Sequence, residues 1–186
     1  MKIAVYSGSF NPLHIGHLAI IEHVVEVAGF DMVYLIVSPK NPLKDGISSA
    51  SGRDRYEAAA EAVERRSLNQ KVKVDDIELN MPEPHYTIRT LDALTDREQD
   101  NSFTLIIGAD NLDSIRKWRD YKRILTEFGV AVFPRTGFDL DIIKQDLLEE
   151  DPAYRIQILD APMVNISSTE IRNALTSGTD VSAMLM

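Results

Sequence analysis

The sequence predicts an α/β fold in which an open, doubly wound and mainly parallel sheet carries helices on both faces. Six apolar runs of strand length alternate along the chain with segments of helical periodicity, an order typical of βαβ units. The runs are rich in Val and Ile, as expected of parallel strands that are buried on both faces. The predicted strands span residues 3–6, 33–37, 72–74, 103–107, 130–133 and 156–159.

The predicted helices carry their apolar residues on one face. In residues 17–28 the apolar positions include 18, 21, 25 and 28, which is the spacing of a buried helical stripe. Ser51 with Asp54, and Ser167 with Glu170, have the spacing of a capping box, which marks the start of a helix. The predicted helices span residues 17–28, 53–66, 87–97, 142–148 and 168–175.

The composition suits one globular domain that covers residues 1–186. Apolar residues make up 44% of the chain and charged residues 26%, an ordinary balance for a globular protein. The absence of cysteine excludes disulfides and thiolate metal sites, and it fits a cytoplasmic location. No apolar run approaches the roughly 20 residues of a membrane-spanning helix, and Met1 leads directly into a predicted strand. We therefore expect neither a membrane partner nor a signal peptide.

The charge balance narrows the choice of ligands. The formal net charge is −9 at pH 7. Nucleic-acid-binding surfaces are usually basic, so we expect no nucleic-acid partner. An anionic ligand would have to bind through local donors rather than through the overall charge of the protein.

The segment Gly8–His17, which reads Gly-Ser-Phe-Asn-Pro-Leu-His-Ile-Gly-His, follows the first predicted strand. It places His14 and His17 where a strand gives way to a helix, the position at which parallel sheets bind ligands and helices bind anions. Gly8 lets the backbone approach a phosphate without a Cβ in the way. The segment therefore predicts a phosphate site. A zinc site is an alternative, although no HExxH pattern or thiolate is present, and two incidental histidines in a turn are another.

The segment Ile166–Arg172 predicts a second group of phosphate donors. Its capping box places the start of a helix at Ser167, and Ser168 and Arg172 share a face of that helix because they are four residues apart. Hydroxyls, free backbone N–H groups and a guanidinium then converge on one spot, which suits a polyphosphate. A well-capped surface helix is the simpler alternative.

Two further segments are candidates for nucleotide binding. Gly108 and Asp110 follow the fourth predicted strand, where a Gly permits close approach and an Asp accepts hydrogen bonds from ribose. The alternative for Asp110 is a helix N-cap. Trp118, the only tryptophan, has charged neighbours that favour a place near the surface, although a single Trp is more often part of a core. Residues 85–90, His-Tyr-Thr-Ile-Arg-Thr, are by themselves compatible with an ordinary helix start.

Together these segments resemble the (H/T)xGH nucleotidyltransferase superfamily and, within it, the family of bacterial nicotinate-nucleotide adenylyltransferases. The superfamily resemblance rests on residues 8–17 and residues 165–172. The narrower resemblance rests on the segments around Thr87 and Trp118, and it extends over nearly the whole chain. The strings that carry it are GSFNPLHIGH at 8–17, PLK at 42–44, HYTIRTLDAL at 85–94, LIIGADNLDSIRKW at 105–118 and NISSTEIR at 165–172.

The resemblance implies a Rossmann-like fold and a defined reaction. An enzyme of this family transfers AMP from ATP to nicotinate mononucleotide, which yields nicotinate adenine dinucleotide and pyrophosphate in NAD biosynthesis. It needs no general base, because the attacking phosphate is already ionised at neutral pH; catalysis then consists of positioning and of charge stabilisation. Mg²⁺ is implied as a cofactor that is bound mainly through the ATP phosphates, with no protein ligand assigned.

The resemblance also implies roles for individual residues. His14, His17, Lys44 and Arg172 are implied to be catalytic, and His17 is the first choice for stabilising the transition state. The implied ligands of ATP are Gly8, Ser9, Phe10, His14, His17, Gly108, Asp110, Ser167, Ser168, Thr169 and Arg172. The implied ligands of the mononucleotide are Asn11, Lys44, Thr87 and Trp118.

The chain departs from the family pattern at two places. Leu43 stands where members commonly have a histidine, which weakens the case for histidine-assisted phosphate binding from residues 42–44. Relatives usually continue beyond the last motif, so a shortened C-terminus is also expected. The residues leave open a homo-oligomer, a preference for the amide mononucleotide, and a non-catalytic nucleotide-binding module. Phosphopantetheine and cytidylyl transferases fit less well, as does a dinucleotide-dependent oxidoreductase, since residues 8–17 are not a GxGxxG motif.

Overall fold

The computed structural model describes residues 1–39, 51–163 and 165–186. Its strands form one six-stranded sheet in which every neighbouring pair is parallel. All six predicted strands are confirmed, each with ends within about two residues of the prediction. The strands are β1 (Lys2–Gly8), β2 (Met32–Val37), β3 (Val72–Asp75), β4 (Ser102–Gly108), β5 (Val130–Phe133) and β6 (Ile156–Ile158).

The strand order is β3-β2-β1-β4-β5-β6. The chain therefore builds outward from β1 to one edge, returns to the centre, and builds outward from β4 to the other edge. This order belongs to the doubly wound Rossmann-like fold, and ligands bind where it reverses, outside the carboxyl ends of the central strands. The predicted fold class is confirmed, and the topology places the switch point between β1 and β4.

The predicted helices are confirmed with shifted ends. The first begins at Ile15, two residues before the predicted start, because the side chain of His14 caps it. Two helical segments lie in the stretch between β4 and β5, which the sequence left unassigned: a short helix directly after β4, and another that continues as the π-helix Ile124–Phe128. The helices are α1 (Ile15–Glu26), α2 (Gly52–Arg65), α3 (Thr87–Arg97), α4 (Ala109–Asp113), α5 (Tyr121–Arg123), α6 (Leu140–Glu150) and α7 (Ser168–Thr176).

The sheet is covered on both faces. Along β1, Ile3 and Val5 belong to one apolar cluster, and Ala4 and Tyr6 belong to the other, as the two-residue period of a strand requires. The first cluster includes side chains of α3, α4 and α6, and the second includes side chains of α1 and α2. In the described part of the chain, no helix is both long and apolar enough to span a membrane.

Candidate active site

The turn after β1 is held rigidly in place. Phe10 has a φ of 45° and a buried ring, and a Cβ on Gly8 would lie only 3.1 Å from that ring. From α2, the Nη1 of Arg55 donates a 2.6 Å hydrogen bond to the backbone oxygen of Ser9. The turn thus combines a glycine in tight contact with the Phe10 ring with an anchor from another helix, and it carries the chain from β1 into α1.

The two histidines cap the start of α1. The backbone N–H of Gly16 donates to Nδ1 of His14 at 3.1 Å, and the backbone N–H of His14 donates to Nδ1 of His17 at 3.2 Å. The ring centroids lie 3.8 Å apart. A neutral imidazole that accepts through Nδ1 carries its proton on Nε2. Both rings are therefore fixed as Nε2–H donors.

Both histidines are neutral at physiological pH. Burial, reinforced by the nearby charge of Arg135, lowers the pKa of His14 to about 4. Burial, together with His14 and Arg135, lowers the pKa of His17 to about 3. Two neutral imidazoles can lie side by side without the repulsion of two imidazolium ions. Their Nε2–H groups can donate hydrogen bonds to an oxygen that gains negative charge.

Helix α7 is fastened to the turn after β1. The Oγ of Ser168 donates to the backbone oxygen of Pro12 at 3.0 Å, and Nη1 of Arg172 donates to that of Asn11 at 2.6 Å. Ser167 is the N-cap of the helix, and its capping box with Glu170 is complete, as predicted. Segments that are about 150 residues apart in the sequence therefore meet at one place.

The start of α3 and the segment around Trp118 form another wall. Thr87 is the first residue of α3, and no side chain caps that helix. Trp118 follows a 3-10 turn and is partly buried against the core, which confirms its predicted position near the surface. Unpaired N–H groups at a helix start favour an anion, and an indole offers a flat apolar face.

The end of β4 approaches the loop after β5. A Cβ on Gly108 would lie 2.5 Å from Oδ1 of Asp110 and 3.2 Å from Nε of Arg135, so a larger residue would displace these two side chains. Asp110 and Arg135 are 3.7 Å apart and about half exposed. The N-cap of α4 is Gly108, so the alternative that Asp110 caps the helix is wrong.

Two cavities open at the carboxyl ends of the central strands. The histidine cavity, lined by both histidines and by Ser167 and Ser168, has a volume of about 210 Å³. The tryptophan cavity, lined by Thr87 and Trp118 among others, has a volume of about 300 Å³. The residues common to both are Tyr6, His17, Phe133, Arg135 and Ser168.

The shared wall is what makes the arrangement suitable for group transfer between two ligands. It places a neutral imidazole donor, a guanidinium and a hydroxyl between the two spaces. Burial raises the pKa of Tyr6 far above its usual range, so its phenol stays neutral there. Cationic and N–H donors at a junction of this kind suit an anion that passes from one ligand to the other.

Most of the predicted residues line one of these cavities. Those in the histidine cavity are His14, His17, Ser167 and Ser168; those in the tryptophan cavity are Gly8, Ser9, Phe10, His17, Gly108, Ser168, Thr87 and Trp118. Four other predicted residues line neither cavity: Asn11, Asp110, Thr169 and Arg172. Lys44 and the rest of residues 42–44 lie outside the described residues.

Arg172 was predicted to bind phosphate directly, and here it has a structural role as well. Its guanidinium donates to the backbone of Asn11 and, through Nη2, to the Oγ1 of Thr169 at 3.1 Å. In the described residues, no group of three or more His, Asp or Glu side chains could hold a metal ion. In the two histidines both Nδ1 atoms accept backbone N–H groups, which favours donation from Nε2–H over zinc binding there.

Arg135 is the main site residue that the sequence analysis missed. It follows β5, outside every string that carried the resemblance, and only the sheet order brings it beside the residues after β1 and β4. A usable signal existed, because a cation directly after a central parallel strand faces the same crevice as the other strand ends.

Comparisons with known proteins identify the family of the chain. The model of the cytidylyltransferase-like family matches residues 5–174. A protein of Flavobacterium johnsoniae named "probable nicotinate-nucleotide adenylyltransferase" is 37% identical over 185 residues, which is 100% of this chain and 92% of the relative. A protein of Bacteroides fragilis with the same name is 37% identical over 180 residues, which is 97% of this chain and 85% of the relative.

Solved structures support the fold. Nicotinic acid mononucleotide adenylyltransferase of Plasmodium falciparum, complexed with NaAD, superimposes with a TM-score of 0.77 at 19% identity, over 97% of this chain and 86% of that one. Its complex with APC gives a TM-score of 0.78 at 18% identity, over 99% and 90%. The chain therefore belongs to the cytidylyltransferase-like family and, within it, to the nicotinate-nucleotide adenylyltransferases.

Proposed function

We propose that this protein transfers AMP from ATP to nicotinate mononucleotide, which forms nicotinate adenine dinucleotide and releases pyrophosphate, a step of NAD biosynthesis. The observation that carries the proposal is the pair of cavities that share His17, Arg135 and Ser168. A reaction between two anionic nucleotides needs separate binding spaces and a junction rich in donors. Family membership supports the same assignment, and with it a cytoplasmic reaction without nucleic-acid or membrane partners.

The two substrates divide between the cavities. ATP occupies the histidine cavity, where the first turn of α7 and the two imidazoles face its phosphates. The mononucleotide occupies the tryptophan cavity, with its pyridine ring on Trp118 and its carboxylate at the N–H of Thr87. Gly8, Ser9, Phe10 and Gly108, which the resemblance implied as ligands of ATP, line the tryptophan cavity instead. In this arrangement they contact ATP only where its α-phosphate enters the junction.

The reaction is an in-line displacement. A phosphate oxygen of the mononucleotide forms a bond to the α-phosphorus of ATP, and the bond from that phosphorus to the bridging oxygen of pyrophosphate breaks. His17 donates from Nε2 to the oxygens that gain charge, and His14 supports it from the neighbouring position. The proposed roles of Lys44, Asn11, Asp110, Thr169 and Arg172 in phosphate and ribose binding stay predictions.

Mg²⁺ fits this site only as an ion that is bound through the phosphates of ATP. The described residues that line the histidine cavity include no carboxylate, so the phosphates themselves would hold the ion. When bound, Mg²⁺ supplies charge neutralisation on the triphosphate. The protein side chains do the rest: they orient the phosphates, donate hydrogen bonds and separate the two substrates until they meet at the junction.

The test is to incubate the purified protein with ATP, nicotinate mononucleotide and Mg²⁺, and to quantify dinucleotide and pyrophosphate. We expect the two products in a one-to-one ratio, and we expect chelation by EDTA to stop their formation. Binding of both nucleotides without pyrophosphate release would instead indicate the non-catalytic module. Faster turnover of nicotinamide mononucleotide than of the acid would refute the proposed substrate.

A further inference from the structure

The side chains that flank the two pyridine-binding residues contact each other. Tyr86 directly precedes Thr87, Arg119 directly follows Trp118, and Cζ of Arg119 lies 5.2 Å from the centroid of the Tyr86 ring. Thr87 and Trp118 themselves line the tryptophan cavity. The stacked pair therefore joins, beside this cavity, the segment that presents a helix start and the segment that presents the indole.

The guanidinium of Arg119 is available to a ligand, unlike those of the arginines near it in the chain. Its neighbour Arg116 forms an ion pair with Glu150, and Arg123 forms ion pairs with Asp92 and Glu127. Arg119 forms no ion pair with any residue in the described parts of the chain. A guanidinium that lies over an aromatic ring can still donate its N–H groups to an acceptor.

We propose that Arg119, held by Tyr86, selects the carboxylate form of the pyridine mononucleotide over the amide form; this rests on the proposed function. The carboxylate at the start of α3 carries a full negative charge, which the guanidinium attracts. The amide offers only a dipole, and its NH₂ group would meet N–H donors from both the helix and Arg119. Arg119 is thus a specificity-determining residue, and Tyr86 is the residue that positions it.

The exposure of the pair sets the expected size of the effect. Arg119 is exposed and the Tyr86 side chain is partly exposed, so water and salt weaken the attraction. We therefore expect Arg119→Gln to raise KM for nicotinate mononucleotide about fivefold, the order expected of one charged hydrogen bond in a wet site. KM for nicotinamide mononucleotide should stay unchanged, so the acid-to-amide ratio of kcat/KM should fall by the same factor.

The matched control is Lys117→Gln. Lys117 is two residues from Arg119 in the chain, at the end of the 3-10 turn, and also forms no ion pair within the described residues, so its loss changes the local charge equally. If Lys117→Gln lowers the acid preference as much as Arg119→Gln does, the preference depends on the overall positive charge of this region rather than on Arg119, and the proposal fails. Tyr86→Leu, which keeps Arg119 but removes the stacking ring, should give a smaller loss of acid preference in the same direction.

Binding separates this proposal from the proposed function. Quenching of Trp118 fluorescence by nicotinate and nicotinamide mononucleotides measures affinity without turnover. We expect tighter binding of the acid in the wild type and equal binding in Arg119→Gln. If the wild type makes no dinucleotide but shows this Arg119-dependent preference, the proposed function fails and the selectivity stands. Equal loss of affinity for both mononucleotides in Arg119→Gln would overturn the selectivity.

Discussion

His14 and His17 serve two purposes at once, since each accepts a backbone N–H through Nδ1 and keeps Nε2–H for a ligand. Lysine or arginine at these positions would offer charge, but neither can accept the capping hydrogen bonds. Imidazole is therefore the one basic side chain that both begins helix α1 and donates into the cavities. The segment was recognisable from the sequence through the two histidines and Gly8 at the end of a strand, whereas the cap became visible only in the structure.

We expect His17→Ala to lower kcat far more than it raises KM for ATP. His17 lies on the wall that the two cavities share, where charge develops during transfer, so its donor is most valuable in the transition state. A decrease in kcat of about 10²-fold is the order seen when one such donor is lost. Steady-state kinetics measure it, and unchanged kcat in the variant would contradict the role.

The low pKa values of the two histidines make folding sensitive to acid. The unfolded chain takes up protons on these rings near pH 6.5, whereas the folded protein resists protonation until about pH 4 for His14 and about pH 3 for His17. Stability from these groups is therefore full above pH 6.5 and is lost as pH falls toward 4. Between pH 7 and pH 5 each ring should cost about 1–2 kcal/mol.

Urea unfolding at the two pH values tests this against His17→Gln. Glutamine at the third helical position can still accept the N–H of residue 14, as in an ordinary capping box, but it does not titrate. We expect the variant to lose less stability than the wild type on acidification. Identical losses in the two proteins would show that His17 is not held neutral in the folded state.

Helix α7 connects stability with substrate binding through its first residues. Ser167→Ala removes the hydroxyl that accepts the Glu170 N–H at 3.2 Å, which should cost about 1 kcal/mol of folding free energy. Because Ser167 also lines the histidine cavity, we expect a severalfold increase in KM for ATP. Urea unfolding and steady-state kinetics measure the two effects.

The matched control is Asp139→Ala. Asp139 caps helix α6 by accepting the N–H groups of Asp141 and Ile142 at 3.1 and 3.2 Å, and it lines neither cavity. It should lose similar stability with KM for ATP unchanged. An equal increase in KM in both variants would mean that the loss of a cap, rather than the loss of the Ser167 hydroxyl, affects the site.

Elements with a strong local pattern were predictable, and elements that depend on tertiary contacts were not. Runs of Val and Ile defined all six strands, and the Ser167–Glu170 spacing located the start of α7. Helix α4 has five residues, which is too short for a periodic pattern, and α5 has three before the chain continues as a π-helix. The antiparallel bridge between His14 and Leu185 joins residues far apart in the chain, and no local pattern encodes it. The place of Arg135 could be inferred only by combining its position after a predicted strand with the strand order.

In the molecule as a whole, much of the stabilisation by ion pairs comes from residues that do not line the cavities. At the end of β3, Asp75 is almost fully buried and accepts two hydrogen bonds from Arg97, at 3.1 and 2.6 Å. Burial opposes ionisation, but Arg97, with help from Lys73, holds the pKa of Asp75 below its usual range. None of these three residues lines the histidine or the tryptophan cavity.

We expect Arg97→Ala to lower the free energy of unfolding by about 2–3 kcal/mol, because it leaves a buried carboxylate with a half-exposed lysine and the backbone N–H of Ile77 as its partners. Arg116→Ala breaks an exposed ion pair with Glu150 and should cost less than about 1 kcal/mol. Both KM values should be unchanged in Arg97→Ala at a temperature at which the protein is folded. A selective increase in either KM would place Asp75 and Arg97 within the functional machinery.

The two histidines at the start of α1 have a capping function and a donor function that can be separated by substitution. His14→Ser together with His17→Glu would install an ordinary capping box at the same two positions. Such a protein would keep the two hydrogen bonds that begin the helix and would lose both Nε2–H donors. Because the helix cap and the donors are separate properties of the same two side chains, only a measurement of activity, and not one of helix content, would report the loss of the donors.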